Sequence, residues 1–281
     1  MSVAPTIAPR AGYPAQLLTV AGRSLAQLVR APSHSRRTAA ARNLARHSLW
    51  LSAAGAAVVI VLMVAFDQTE IQLMPARGTA WLWPIRILTD FGKDENVLSV
   101  LGAALVIVAL VAAGMQGTRR ALLLGLGTRL QYLFLSVALS VFVTEILKYL
   151  IGRGRPFVGG KADPFNFMPL EGTGAYSSLP SGHAVTAFAL AFAVSALWPR
   201  LRVFMFTYAV VIVLTRLVLL AHHPSDVTAG ALVGMVGAMA VRYWFAARRL
   251  AFAIRADGTI VPLPSPFPGR LKRVAHGPSA P

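Results

Sequence analysis

The sequence predicts an all-α fold, a polytopic membrane bundle of six transmembrane helices. Three observations predict it. The 281 residues are 56% hydrophobic and only 13% charged, with a mean hydropathy of +0.62, whereas a soluble chain carries about 25% charged residues. Six apolar segments recur, at 49–66, 97–115, 130–147, 184–198, 203–220 and 227–245. Between and outside them the basic residues cluster on alternate sides. In lipid every backbone group is satisfied within its own segment, so each apolar run is read as a helix.

Residues 1–48 form a basic tail. They hold Arg10, Arg23, Arg30, Arg36, Arg37, Arg42 and Arg46 and no acid. Two readings fit: a basic helix lying on anionic lipid, or a solvated tail that only sets topology. The compact charged, apolar and cleavable regions of a secretory signal are not apparent there, so the first span is expected to act as an uncleaved anchor. The stretches after the second and fourth spans carry Arg119, Arg120 and Arg129, then Arg200 and Arg202. The end of the chain carries Arg242, Arg248, Arg249, Arg255, Arg270, Lys272 and Arg273. The positive-inside rule places all of these in the cytoplasm, and with them both termini. Residues 49–250 are then the membrane domain. Residues 251–281 form a cytoplasmic basic tail, and Pro262, Pro264, Pro266, Pro268, Pro278 and Pro281 favour extended chain over helix there. Trp50, Trp198 and Trp244 near inner ends, and Trp81 and Trp83 near the outer surface, read as interfacial anchors.

The net charge of +17 does not point to nucleic acid, because it sits in tails and short loops. With no cysteine there is no disulfide framework, thiolate metal site or Cys nucleophile.

This topology gathers three polar clusters at the outer ends of spans. In "KYLIGRGRP", Lys148, Arg153 and Arg155 supply fixed cations, and Arg forks match tetrahedral oxyanions. A snorkelling basic belt is the bland alternative, but outer ends are usually poor in Lys and Arg. In "LPSGHA", Ser181 is a candidate N-cap, and the amides of Ser181, Gly182 and His183 would open a helix N-terminus suited to phosphate. A lone "SGH" would be no more than a capped helix start. In "TRLVLLAHHPSD", Arg216 shares the mouth with two histidines. Asp226 stands i+4 from His222 and i+3 from His223, so spacing favours His222 only modestly. Pro224 is placed to begin the last helix. Together the clusters describe a pocket for a phosphate-like oxyanion, flanked by imidazoles.

These residues resemble the three motifs of the type 2 phosphatidic acid phosphatase superfamily. Lys148, Arg155 and Pro156 fit the first. Pro180, Ser181, Gly182 and His183 fit the second. Thr215, Arg216, His222 and Asp226 fit the third, with Thr215 in place of the usual Ser, and Gly230 follows where the family often has glycine. The resemblance places His222, not His223, on the nucleophile. It implies a metal-independent phosphatase that needs no cofactor. His222 attacks phosphorus to form a phosphohistidine, Asp226 orients His222, and His183 is the general acid. Lys148, Arg155, Arg216 and the Ser181–Gly182 backbone bind the phosphate. Arg153, outside the strict motif, is a supporting candidate, and Glu145 one to hold Lys148.

The implied partners are the bilayer and a membrane lipid phosphate: phosphatidic acid, phosphatidylglycerol phosphate, undecaprenyl diphosphate or a lipid A phosphate. The implied location is a bacterial inner membrane with a periplasmic site. Selectivity is expected in the outer segments 67–96 and 158–179, the second read as a glycine-rich lid against the alternative of a plain connector. Lipid-to-lipid phosphotransfer at the same site is a second reading. A vanadate haloperoxidase shares such a pocket but is generally soluble. A transporter or binding protein for anions is a reading from another class, disfavoured by the want of internal repeats.

Overall fold

A computed structural model describes residues 12–76, 78–160, 163–255 and 257–264. Arg10, Arg270, Lys272, Arg273 and the prolines from Pro266 onward lie outside the described residues, and with them most of the expected extended tail. Nine α-helices are found among the described residues: α1 (Tyr13–Val29), α2 (His34–Ala65), α3 (Asp67–Leu73), α4 (Trp83–Thr89), α5 (Asp94–Gly114), α6 (Gly117–Ile151), α7 (Gly182–Leu197), α8 (Arg202–Val218) and α9 (Pro224–Ala247). A short antiparallel hairpin, β1 (Phe252–Ile254) and β2 (Ile260–Pro262), follows.

Each of the six apolar segments falls in one long helix, α2 and α5 to α9. Five of these are long and apolar enough to cross a membrane, and α7, at 16 residues, is shorter. At 1.5 Å per residue α7 spans about 24 Å, short of a roughly 30 Å hydrocarbon core. Its position explains how it can be short. Its Ala-rich faces are buried between α6, α8 and α9, and small residues let neighbouring backbones approach. By contrast the apolar stretch of α2 has none of its residues buried, so it lies at the rim.

The helices run further than the apolar pattern alone predicts. α6 begins at Gly117, so Arg119, Arg120 and Arg129 lie on a helix and not in a loop. The N-terminal region is helical as well. α1 packs along α5, with Tyr13 Oη donating to the Leu110 carbonyl at 2.9 Å and Gln27 bonded to Gln131 at 3.1 Å. The solvated-tail reading therefore fails for residues 13–48. Pro262, expected in extended chain, pairs with Phe252 in the hairpin. Phe252 seats the hairpin on the bundle: its ring and that of Phe245 both meet Tyr132 edge-on, with centroids 4.8 and 5.4 Å away.

The antiparallel order of the last four helices fixes the site. The C-terminal ends of α6 and α8 and the N-terminal ends of α7 and α9 share one end of the bundle. Segment 67–96 folds over that end as α3, α4 and two 3₁₀ turns.

Candidate active site

The first cluster is built by a helix stop. α6 ends at Ile151, and Gly152 follows with φ +58°, its N–H bonded to Lys148 O at 2.9 Å. Only glycine suits this position, because a Cβ would also overlap the Met168 carbonyl. The turn leaves Lys148 on the helix and sends Arg153 and Arg155 in different directions. Lys148 Nζ lies 2.6 Å from Glu145 Oε1, the partner expected for it. The ammonium also reaches the start of α7, where a Cβ on Gly182 would touch it at 3.4 Å.

Arg153 turns inward and is fully buried. Nη1 donates to Asp226 Oδ1 and Ser225 Oγ, both at 2.6 Å. Nη2 donates to Asp67 Oδ2 and the Pro164 carbonyl, both at 2.8 Å, and Nε reaches the same carbonyl at 3.0 Å. Asp67 in turn accepts from the Ser225 backbone N–H at 3.0 Å. This buried charge is thus paired and multiply hydrogen-bonded, the condition under which burial is tolerated. Arg155 points elsewhere, with Nε donating to the Gly174 carbonyl at 2.9 Å.

Segment 158–179 is not a loose lid. Backbone bonds fasten it to 149–155: Gly154 N to Asn166 O at 2.8 Å, Met168 N to Gly152 O at 2.7 Å, Leu170 N to Tyr149 O at 2.8 Å, Arg155 N to Ala175 O at 2.9 Å and Ser178 N to Arg153 O at 3.0 Å. It is a second wall, and it delivers Ser178 to the histidines.

The second cluster corrects one expectation. Ser181 is the N-cap of α7, but its hydroxyl makes no capping bond and is buried without a partner. Its backbone N–H is also committed, donating to Asp226 O at 3.0 Å. Ser181 therefore cannot offer its amide to phosphate. The first-turn amides of Gly182 and His183 have no intrahelical acceptor and remain for that role. The bond from Ser181 to Asp226 joins the starts of α7 and α9. Gly230, one turn further on, allows the contact, since a Cβ there would run into Ser181 and Ala184.

His222 and His223 part company. His223 is the N-cap of α9, with Pro224 at the first turn as expected, and it is fully buried. Its backbone N–H donates to Asp226 Oδ2 at 2.9 Å. His222 Nδ1 donates to the Ser178 carbonyl at 2.9 Å, which places its proton on Nδ1. Nε2 makes no hydrogen bond among the described residues. Asp226 Oδ2 is 3.8 Å from His222 Nδ1, too far for a direct hydrogen bond. It holds His222 at one remove, by accepting from Ser178 Oγ at 2.6 Å. Burial pushes the His222 imidazole down to about 4, against the opposing pull of Asp226 and with help from the charges of Arg155 and Arg216. Burial lowers His223 too.

His183 completes the group. Its Nε2 is buried without a partner, and Arg216, His222, Lys93 and Arg155 all act on it electrostatically. Arg216 is aimed by Thr89, whose Oγ1 accepts from Nη1 at 2.9 Å. The Thr215 and Thr89 hydroxyls lie 3.0 Å apart, so Thr215 keeps the polar role expected of a hydroxyl there. Asp67, Thr89 and Ser178 were not singled out in the sequence. Asp67 begins one short helix, Thr89 ends another and Ser178 lies in a loop, and no spacing signal marks any of them. Among the described residues no three His, Asp or Glu side chains are placed to hold a metal ion.

Comparison with known proteins matches this end of the molecule. Residues 129–250 match the PAP2 superfamily model, a stretch that holds all three clusters. It is 38% identical over 127 residues to a lipid A 1-phosphatase of Rhizobium johnstonii, covering 45% of this chain and 52% of that protein. It is 37% identical over 127 residues to a lipid A 1-phosphatase of Rhizobium etli, covering 45% and 55%. It is 33% identical over 110 residues to a putative undecaprenyl-diphosphatase of Escherichia coli, covering 38% and 52%. The matched stretch thus spans about half the length of each relative. No solved structure matches.

Proposed function

We propose that the protein is a membrane lipid phosphatase that works through a phosphohistidine on His222, with a lipid A phosphate as its preferred substrate class. The observation that carries this reading is the state of His222: Nδ1 is held by the Ser178 carbonyl, Nε2 makes no hydrogen bond among the described residues, and the charges of Arg155 and Arg216 act on the ring. A neutral imidazole held this way is a ready nucleophile.

His222 Nε2 attacks phosphorus, and the phosphorus–oxygen bond to the lipid breaks. His183, which takes up a proton once the anionic phosphate sits among the cations, gives it to the departing oxygen. Lys148, Arg155, Arg216 and the amides of Gly182 and His183 stabilise the three equatorial oxygens. Asp226 offsets the charge on the phosphorylated imidazole. Water then attacks phosphorus, His183 takes the proton back, and phosphate leaves with His222 restored. The lipid A assignment rests on the two relatives named lipid A 1-phosphatase. A site at the end of the helices, at headgroup level, suits such a substrate.

The test is phosphate release by the detergent-purified protein, with EDTA present, from phosphatidic acid, phosphatidylglycerol phosphate, undecaprenyl diphosphate and lipid A. Release that needs His222 and is fastest from lipid A supports the full reading. Faster release from another lipid keeps the chemistry and overturns the substrate. Release that survives His222→Ala overturns the mechanism.

A further inference from the structure

The opposite end of the bundle holds a second concentration of chemistry that the reaction does not use. α2, α9 and the β1–β2 hairpin line an open cleft of 710 Å³ there. Arg42, Arg46, His47, Arg242 and Arg255 line it, with Asp257 as the acid among the lining residues. Arg242 and Asp226 both lie on α9, sixteen residues apart, so about 24 Å of helix separates this cavity from the catalytic cluster.

The charges in it are unbalanced. Asp257 is turned to its own hairpin, where Oδ1 accepts from Thr259 N at 2.8 Å and Thr259 Oγ1 at 2.7 Å. No ion pair among the described residues joins it to any of the arginines. Arg242 is anchored at one nitrogen, Nη2 donating to the Ile260 carbonyl at 2.8 Å, while its Nε is buried without a partner. The Arg42, Arg46 and Arg255 side chains make no hydrogen bond or ion pair among the described residues. Four guanidiniums around one open cleft make a strongly positive surface that attracts an anion. Guanidinium forks match the oxygens of phosphate in particular. Basic pockets between the ends of membrane helices are also where anionic lipid headgroups bind.

We propose that this cavity is a second anion site, separate from the catalytic cluster, which takes a phosphate-bearing group from a lipid headgroup or a free phosphate compound. Arg242 forms its floor. Arg42 and Arg46 from α2 and Arg255 from the hairpin close around the anion, so occupancy ties the hairpin to the bundle.

The experiment compares the full chain with an Arg42→Gln, Arg46→Gln, Arg255→Gln triple variant in detergent at low salt. One arm counts retained phosphatidylglycerol against phosphatidylcholine by native mass spectrometry. The other titrates inorganic pyrophosphate by calorimetry. The catalytic end binds anions in both proteins, so the readout is the difference between them. We expect the triple variant to lose one binding event, or to bind at least tenfold more weakly, with an unchanged gel-filtration profile. A loss confined to phosphatidylglycerol assigns the site to a headgroup, and one confined to pyrophosphate to a soluble compound. Equal binding by both proteins in both arms overturns the proposal. Should the triple variant aggregate, Asp257→Asn decides: removing the acid tightens binding if the site is real, and unchanged affinity overturns it.

Discussion

Arg153 Nη1 lies 2.6 Å from Asp226 Oδ1, and both side chains are fully buried. The carboxylate proposed to support His222 is therefore itself held by Arg153, a cation that lies outside the strict first motif. Asp67, at the start of α3, binds the other arm of the same guanidinium. Breaking such a buried pair costs about 3–5 kcal/mol, because one charge is left uncompensated. Arg153→Met is expected to lower the melting temperature and abolish turnover. Arg153→Lys is expected to recover little, since an ammonium cannot bridge two carboxylates as a fork does. Melting curves and kcat for the two variants check this. A lysine variant with wild-type turnover would show that the fork is dispensable.

The two neighbouring histidines should separate cleanly. His222→Ala removes the unbonded Nε2 and is expected to abolish turnover; it also empties a buried site and removes the bond to Ser178, so it costs stability as well. His223→Ala empties a fully buried site and is expected to cost about 1–3 kcal/mol of stability while retaining phosphohistidine formation. Trapping of ³²P-labelled intermediate, beside a melting curve for each variant, tests the division. Label on a His222→Ala protein would reverse the assignment.

Thr89 predicts a smaller and more specific effect. Its hydroxyl is the acceptor for Arg216 Nη1 and the neighbour of the Thr215 hydroxyl. Thr89→Val keeps the shape and removes both bonds, so Arg216 loses its aim while the fold persists. Turnover is expected to fall about tenfold, the scale of one lost charge-assisted hydrogen bond, with Thr89→Ser restoring most of it. Equal loss in both variants would point to packing as the cause.

What the sequence made legible follows from physics that acts locally. Lipid forces apolar runs into helices, so 227–245 could be read as a helix without knowing its neighbours. Pro224 announced the start of α9. The functional detail depends on contacts distant in sequence. The carbonyl that holds His222 belongs to Ser178, 44 residues earlier, and Asp67 stands 86 residues from the Arg153 it binds. The short helical turns of 67–96 and the loop 158–179 are too short or irregular to carry a long apolar period, so nothing local marked Thr89 or showed that the glycine-rich stretch is stitched to the end of α6. Asp226 makes no direct bond to His222 because His222 lies in the bend before α9 and not on the helix with Asp226, so their i, i+4 spacing sets no common face.

The pH dependence of the reaction carries a sign. Burial holds His222 near 4 instead of its ordinary 6.5, so the imidazole is already neutral, and nucleophilic, through the mildly acidic range. A bell-shaped kcat profile is expected, because His183 must be protonated in the substrate complex. Its acidic limb should lie well below 6.5. An acidic limb at 6.5 would mean that the nucleophile is solvated, contrary to its place under Ser178. A profile flat across the histidine range would remove the acid–base division altogether.

Glu70 gives a prediction about stability alone. It sits on α3 one turn after Asp67, only 3% exposed, with both carboxylate oxygens lacking a hydrogen-bond partner. Burial, and then the negative charges of Asp67 and Asp226, push it up to about 7 from 4.5. Between those two values the folded protein holds a proton that the unfolded chain has released. Stability therefore falls as pH rises through this window, and above about 7 the folded state carries the full cost of a buried anion, on the order of 1–3 kcal/mol. Glu70→Gln replaces the protonated acid with a neutral amide of the same shape. It is expected to change little at pH 5 and to raise the melting temperature at pH 8. Thermal melts at the two pH values settle the matter. An equal change at both would mean that the carboxyl ionises as freely in the folded protein as in the unfolded chain, and that its burial has no electrostatic consequence.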